Sequence, residues 1–210
     1  MSELSTHHLT YSYPAGWKMT FPGLTCHVGN NLLIHGKSGS GKTTLLHLLA
    51  GLLTPAGGEI KFGDVVMSAL GAAEKDRFRG QHIGMIFQKH LFIEGISLVE
   101  NLKAARKMAG NPHDSGYLYS LMEALSIGHL AQKKANELSE GEQQRFSIAR
   151  ALANKPGWVL ADEPTSGLDD ANCASFMELM NRSAVAGPVS WLIASHDNRL
   201  KEHFAHVYHL

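Results

Sequence analysis

No stretch of this 210-residue chain approaches the roughly 20 consecutive apolar residues that a membrane helix needs, so direct insertion into a bilayer is not expected. An excess of either charge is missing too, because 19 Lys+Arg balance 19 Asp+Glu. Without a basic excess there is no electrostatic footprint for nucleic acid, and without a polybasic run none for anionic lipid. Cysteine is scarce. Cys26 and Cys173 stand far apart with no metal-type spacing, which reads as two reduced thiols in a cytoplasmic protein. No basic-then-apolar leader opens the chain, and no internal repeat, low-complexity tract or heptad run follows. The 13 histidines are scattered, without the compact spacing of a metal site. What is left is enough chain for one domain with a substantial core. It is expected to be soluble by itself, so any role at a membrane requires a partner.

Against these absences stands one dense motif. Gly36-Lys37-Ser38-Gly39-Ser40-Gly41-Lys42-Thr43 matches G-x-x-x-x-G-K-[ST], the phosphate-binding loop. A strand-like run, Leu32-Leu33-Ile34, leads in, and a helix-like run beginning at Thr43-Thr44 leads out to Leu52. The glycines let the backbone wrap phosphate oxygens with its N–H groups turned inward. The helix start adds partial positive charge. Lys42 can reach β- and γ-phosphates, and the Thr43 hydroxyl can ligate Mg2+. The motif therefore implies a nucleoside triphosphate.

The rest of the chain reads as an α/β protein. Leu9–Tyr13 and Trp17–Phe21 are expected as short strands joined by the turn Pro14-Ala15-Gly16. Glu59–Phe62 and Ile83–Phe87 follow as strands, then a helical pattern from about Leu98 to Leu130. Residues 89–137 read as a helical lobe inserted into the core. Gly141–Ala153 and Asp170–Ser183 are expected as helices, Trp158–Ala161 and Val189–Ala194 as strands, and Asn198–His203 as a short helix.

Polar residues cluster where these strands end. Asp162-Glu163 closes the run Trp158–Ala161, and ligands collect at the carboxyl ends of strands in open α/β sheets. Asp162 can hold Mg2+ directly or through water, and Glu163 is placed to take a proton from attacking water. Gln88, after Ile83–Phe87, can ligate Mg2+ or orient water. His196, after Val189–Ala194, can donate to a γ-phosphate oxygen. Finally, Leu138-Ser139-Glu140-Gly141-Glu142-Gln143-Gln144-Arg145 opens a helix whose free N–H groups suit an anion. The loop at 36–43 already takes one anion, so this start suggests a nucleotide held by a second copy. Ser139 with Glu142 also makes a plain capping box, and both readings can hold.

In order and spacing these residues resemble the nucleotide-binding subunits of ABC transporters, over nearly the whole chain from about Leu9 to His209. The motifs that carry the resemblance are the loop 36–43, Gln88, the signature 138–145, Asp162-Glu163, the turn Thr165-Ser166-Gly167-Leu168-Asp169, and His196. The signature departs from the usual L-S-G-G-Q, since Glu140 replaces a glycine and adds a carboxylate where polyphosphate is expected. The resemblance implies a P-loop NTPase fold with a mainly parallel sheet, an N-terminal antiparallel β subdomain and an inserted α-helical subdomain. It divides a single domain, 1–210, into a RecA-like core of about 1–88 and 138–210 and a helical subdomain of about 89–137. It implies ATP and Mg2+, two copies packed head to tail around two ATP molecules, and a membrane permease driven from the cytoplasmic face of the cell membrane. It assigns Ser139 and Gly141 to the partner's γ-phosphate, Asp169 to the nucleotide interface, and Tyr13, with Tyr11 as the alternative, to stacking on adenine. Within the family the wording is most like the lipoprotein-release, macrolide-export and cell-division group, which implies export or, alternatively, control of a membrane partner in cell-wall or division work. A DNA-repair ATPase would carry a long coiled coil and a translation ATPase a second cassette, and neither is here. A simple nucleotide kinase would leave the signature and His196 without a task.

Overall fold

Trp158-Val159-Leu160-Ala161 is apolar at every position, which suits a strand covered on both faces. In the computed structural model, which describes residues 2–182 and 188–210, it lies in an all-parallel sheet. The strand order is β10 (His206–His209), β4 (Leu32–His35), β9 (Ser190–Ser195), β8 (Trp158–Asp162) and β7 (Ile83–Ile86). Alternate side chains leave a strand on opposite faces, and here both faces are buried. Val159, Ala161, Trp191 and Ile193 join one core with the helices α3 (Leu98–Met108), α4 (Ser115–Ala124), α5 (Glu140–Leu152) and α6 (Asp170–Arg182). Trp158, Leu160, Leu192 and Ala194 join the other, with α1 (Lys42–Leu49) and a second sheet.

That second sheet is antiparallel. Its path is β2 (Lys18–Thr20), β1 (Glu3–Ser12), β5 (Gly57–Phe62) and β6 (Val65–Val66), with β3 (Leu24–His27) also on β1. The expected hairpin is present, with Thr10 opposite Thr20 and Ser12 opposite Lys18. Its first strand, however, begins at Glu3 rather than Leu9. The polar run before Leu9 becomes strand because β3 and β5 pair with it on both edges, satisfying its backbone where side chains give little signal. The register with β5 shifts between His7 and Thr10, where His8 takes a φ of 48°.

Other boundaries move for local reasons. The helix after the phosphate loop ends at Leu49 instead of Leu52, since Gly51 turns the chain at φ 65°. The short element Asn198–His203 is a 3-10 helix. A helix absent from the sequence reading, α2 (Ala72–His82), buries only Phe78, so its sequence lacks an apolar stripe to announce it. Strands β3, β6 and β10 are also new. The expected helix end at Ser183 lies outside the described residues. Helix α3 starts at a capping box in which Ser97 accepts from the Glu100 N–H and Glu100 Oε2 accepts from the Ser97 N–H. Among the described residues no helix is long and apolar enough to cross a membrane.

Candidate nucleotide site

Because β4, β8 and β9 are parallel neighbours, their carboxyl ends deliver three loops to one place. After β4 comes the loop 36–43, with Gly41 left-handed (φ 95°) at the start of α1. Lys42 is 5% exposed. Its ammonium donates to the carbonyls of Gly36 (2.9 Å) and Lys37 (3.1 Å) and lies 3.3 Å from Glu163 Oε1. The Thr43 hydroxyl donates to Asp162 Oδ1 at 3.0 Å, which joins the end of β8 to the loop. Ser40 Oγ is buried within the loop with no hydrogen-bond partner among the described residues, a polar atom of the kind a bound oxyanion can satisfy. A threonine hydroxyl beside a buried carboxylate is an all-oxygen donor set, which fits a small hard divalent cation.

Glu163, the residue after β8, has a left-handed φ of 46°, and its N–H donates to Ala194 O at 2.8 Å. The carboxylate receives Ser195 Oγ at Oε2 (3.0 Å), and His196 Nδ1 lies 3.0 Å from both of its oxygens. Burial pushes this carboxyl up, but the hydrogen bonds from His196 and Ser195 and the charge of Lys42 outweigh it and hold it below the usual range. Glu163 is therefore ionised at neutral pH and able to accept a proton. Asp162 goes the other way, since burial raises it more than the Thr43 hydrogen bond lowers it.

Lys42, Thr43, Glu163 and His196 line a cavity of about 400 Å3 together with Ser38, Gly39, Gly41, Thr44, Gln88, Tyr13 and Trp17. Of the expected site residues, Ser38, Gly39 and Gly41 to Thr44 of the loop thus come together with Gln88, Glu163 and His196, and Asp162 stands behind Thr43, joined to the cavity by that hydroxyl. Tyr13 does so differently from the expectation. Its ring is stacked on Trp17 (centroids 4.1 Å apart, planes 10° apart), Tyr11 meets it edge-on at 4.8 Å, and its hydroxyl is 2.6 Å from Thr44 Oγ1. One face of Tyr13 is already covered, while Trp17 is 52% exposed. In the sequence Trp17 stands only as the start of an expected strand, although its place just across a tight turn from Tyr13 is the available signal.

Ser139, Gly141 and Asp169 lie outside this cavity within one chain. Ser139 caps α5 reciprocally with Glu142, its hydroxyl donating to Glu142 Oε2 at 2.7 Å. The Asp169 carboxylate accepts the Asn172 N–H at 2.8 Å in the first turn of α6. Glu140 lines a separate small cavity with Gln88, His90 and Glu163.

Asp197, next to His196, carries a pH prediction. Hydrogen bonds from the Arg199 side chain, chiefly, lower its carboxyl from 3.8 to about 2. A carboxyl depressed by folding contributes its full stabilisation above the ordinary value and loses it as pH falls toward the folded value. Asp197→Asn should therefore flatten the loss of stability between pH 4 and 2, followed by circular dichroism. An acid limb identical to that of the parent protein would show that this carboxylate adds nothing.

A model of the ABC transporter family matches residues 22–166. The chain belongs to the ABC transporter family. It is similar to the lipoprotein-releasing system ATP-binding protein LolD of Xanthomonas euvesicatoria pv. vesicatoria (strain 85-10), 38% identical over 208 residues that cover 96% of this chain and 85% of that protein. LolD of Xylella fastidiosa (strain 9a5c) is 39% identical over 195 residues, covering 91% and 81%. Among solved structures, the dimeric bacterial ABC transporter cassette MJ0796 superposes with a TM-score of 0.85 at 26% identity, covering 99% of this chain and 94% of that one. The same cassette in a post-hydrolysis state bound to ADP and Pi gives identical figures. As an ABC cassette with a P-loop NTPase fold, the chain binds and hydrolyses ATP.

Proposed function

We propose that this cassette is the ATP-hydrolysing subunit that drives a membrane permease from the cytoplasmic face of the membrane, in the manner of a lipoprotein-releasing system. The observation that carries the catalytic part is the ion-paired and hydrogen-bonded cluster Lys42–Glu163–His196–Ser195 beside Thr43–Asp162. Lys42 and the loop N–H groups hold the phosphates. Thr43 and Asp162, with Gln88 at the cavity wall, hold Mg2+, whose charge offsets that developing on the phosphates. Glu163 takes the proton of the attacking water, and His196 fixes the carboxylate and faces the γ-phosphate.

Ser139, Gly141 and Asp169 have no role in the cavity of their own chain, so they serve that of a second copy packed head to tail. ATP then acts as the ligand that favours the closed pair through its tighter binding to that state. The helical stretch 89–137 follows directly on Gln88 and carries closure to the permease. Reconstitution with the membrane partner tests this: ATP-dependent release of a lipoprotein from vesicles supports the export reading. ATP turnover without release would move the weight to control of a membrane partner.

The base lies against the Tyr13–Trp17 pair. Trp158 and Trp191 are buried (1% and 2% exposed), so Trp17 dominates quenching by aqueous acrylamide. ATP should protect it severalfold, and inorganic tripolyphosphate, which lacks a base, should not. Equal quenching with and without saturating ATP would remove the base from this pair.

A further inference from the structure

Arg199 belongs to none of the motifs that mark the site, yet its guanidinium joins separate parts of the site's frame. Nε donates to both oxygens of Asp197 (3.0 and 3.1 Å), and Nη2 donates to Asp197 Oδ2 (2.7 Å) and to the Leu168 carbonyl (3.1 Å). Nη1 donates to Asp170 Oδ1 at 2.7 Å. Asp197 also accepts the Thr165 hydroxyl at 3.0 Å. Its N–H donates to Ser195 Oγ (3.0 Å), which in turn donates to Glu163 Oε2 (3.0 Å). An unbroken hydrogen-bonded path thus runs from the turn Thr165–Asp169 through Arg199 and Asp197 to the carboxylate of Glu163.

We propose that Arg199 is a positioning residue, which keeps the turn carrying Asp169 in register with Glu163 and His196 so that the seating of that turn against a second copy sets the placement of Glu163 for proton transfer. The proposal rests on the head-to-tail arrangement proposed above. The Arg199–Asp197 pair adds stability, but stability does not account for the outer arm to Asp170. The side chain of Asp170 is 94% exposed and that of Arg199 37%, and ion pairs in water hold little free energy. What the guanidinium uniquely supplies is a planar fork that addresses a carboxylate on one edge while reaching a carbonyl and a second carboxylate with its remaining N–H groups. A lysine ammonium, as a point charge, cannot hold all three.

The test uses the full chain and compares steady-state ATPase rates over a range of ATP concentrations, normalised to folded protein by circular dichroism. Arg199→Ala should lower kcat about tenfold through misplacement of Glu163 and leave KM for ATP unchanged, since the loop and Thr43 are untouched. Arg199→Lys should recover less than half of the lost rate. Asp170→Asn, which cuts only the outer arm, should lower kcat about threefold with KM again unchanged. ATP-dependent dimerisation is measured in parallel in the Glu163→Gln background, with and without Arg199→Ala, and should persist in both. A wild-type kcat in Arg199→Ala, or a loss that disappears on normalisation or that falls on KM, overturns the positioning role while the dimer stands. Absence of ATP-dependent dimers in the Glu163→Gln protein overturns the head-to-tail arrangement and this proposal with it.

Discussion

Glu163→Gln should reduce steady-state ATP turnover by at least about 100-fold and leave ATP-dependent dimers intact. A positioned general base typically contributes about 10²–10⁴ in rate, and the geometry concentrates that role on one carboxylate. Glu163 is 3.3 Å from Lys42, receives Ser195 and His196 at 3.0 Å, and is held ionised by them. Glutamine keeps the size and one acceptor but loses the charge and the ability to take a proton. The phosphate contacts of the loop and Thr43 are untouched, so binding and the closure it drives survive. Phosphate release measured alongside size-exclusion chromatography with and without ATP separates the two effects. A near-normal turnover in the variant would take Glu163 out of the chemistry and leave His196 or Gln88 to be tested in its place.

Gly84→Ala is the second large effect, and it falls on stability. Gly84 sits in β7 where α5 crosses the sheet. A Cβ there would overlap the carbonyl oxygen of Ala151 and stand 2.9 Å from its carbonyl carbon and 3.1 Å from its Cβ. These are atoms of a helix backbone and its shortest side chain, so no rotamer change relieves the contact, and α5 must move off the sheet. Overpacking of a close-packed interior costs about 3 kcal/mol, which for a chain of this size lowers the melting temperature by about 6–12 °C. Thermal unfolding by circular dichroism measures it. A change under 2 °C would mean that α5 yields without cost and that this contact does not set the helix–sheet spacing. Ser139 caps the same helix, so a displaced α5 also predicts weaker ATP-dependent dimerisation per folded molecule.

The phosphate loop, Asp162, Glu163 and His196 were legible in the amino-acid order because each follows an apolar strand, and a parallel sheet sends the carboxyl ends of its strands to one side. Elements with strong local patterns were legible for the same kind of reason. The continuous apolar run at Trp158 announces a doubly covered strand, and Leu118, Leu121 and Met122 announce a helix face buried in the core. The N-terminal half of β1, together with β3 and β10, was not legible. Those strands are defined by partners distant in sequence: the start of β1 and all of β10 carry little alternation, and β3 does alternate but spans only 4 residues. Helix α2 was missed because a helix that buries only Phe78 has no stripe to read.

By itself the sequence determined the chemistry: a loop that can bind only with glycines at its bends, a lysine and a threonine at fixed offsets, and acids at the end of a core strand. These depend on residue type and short spacing, which the chain carries locally. The tertiary structure decided which groups meet. It set Lys42 against Glu163 across 121 residues of chain, covered the face of Tyr13 with Trp17, and threaded Arg199 between two loops. Contacts of a few ångströms between distant segments follow from how helices and strands pack, and no spacing along the chain encodes them.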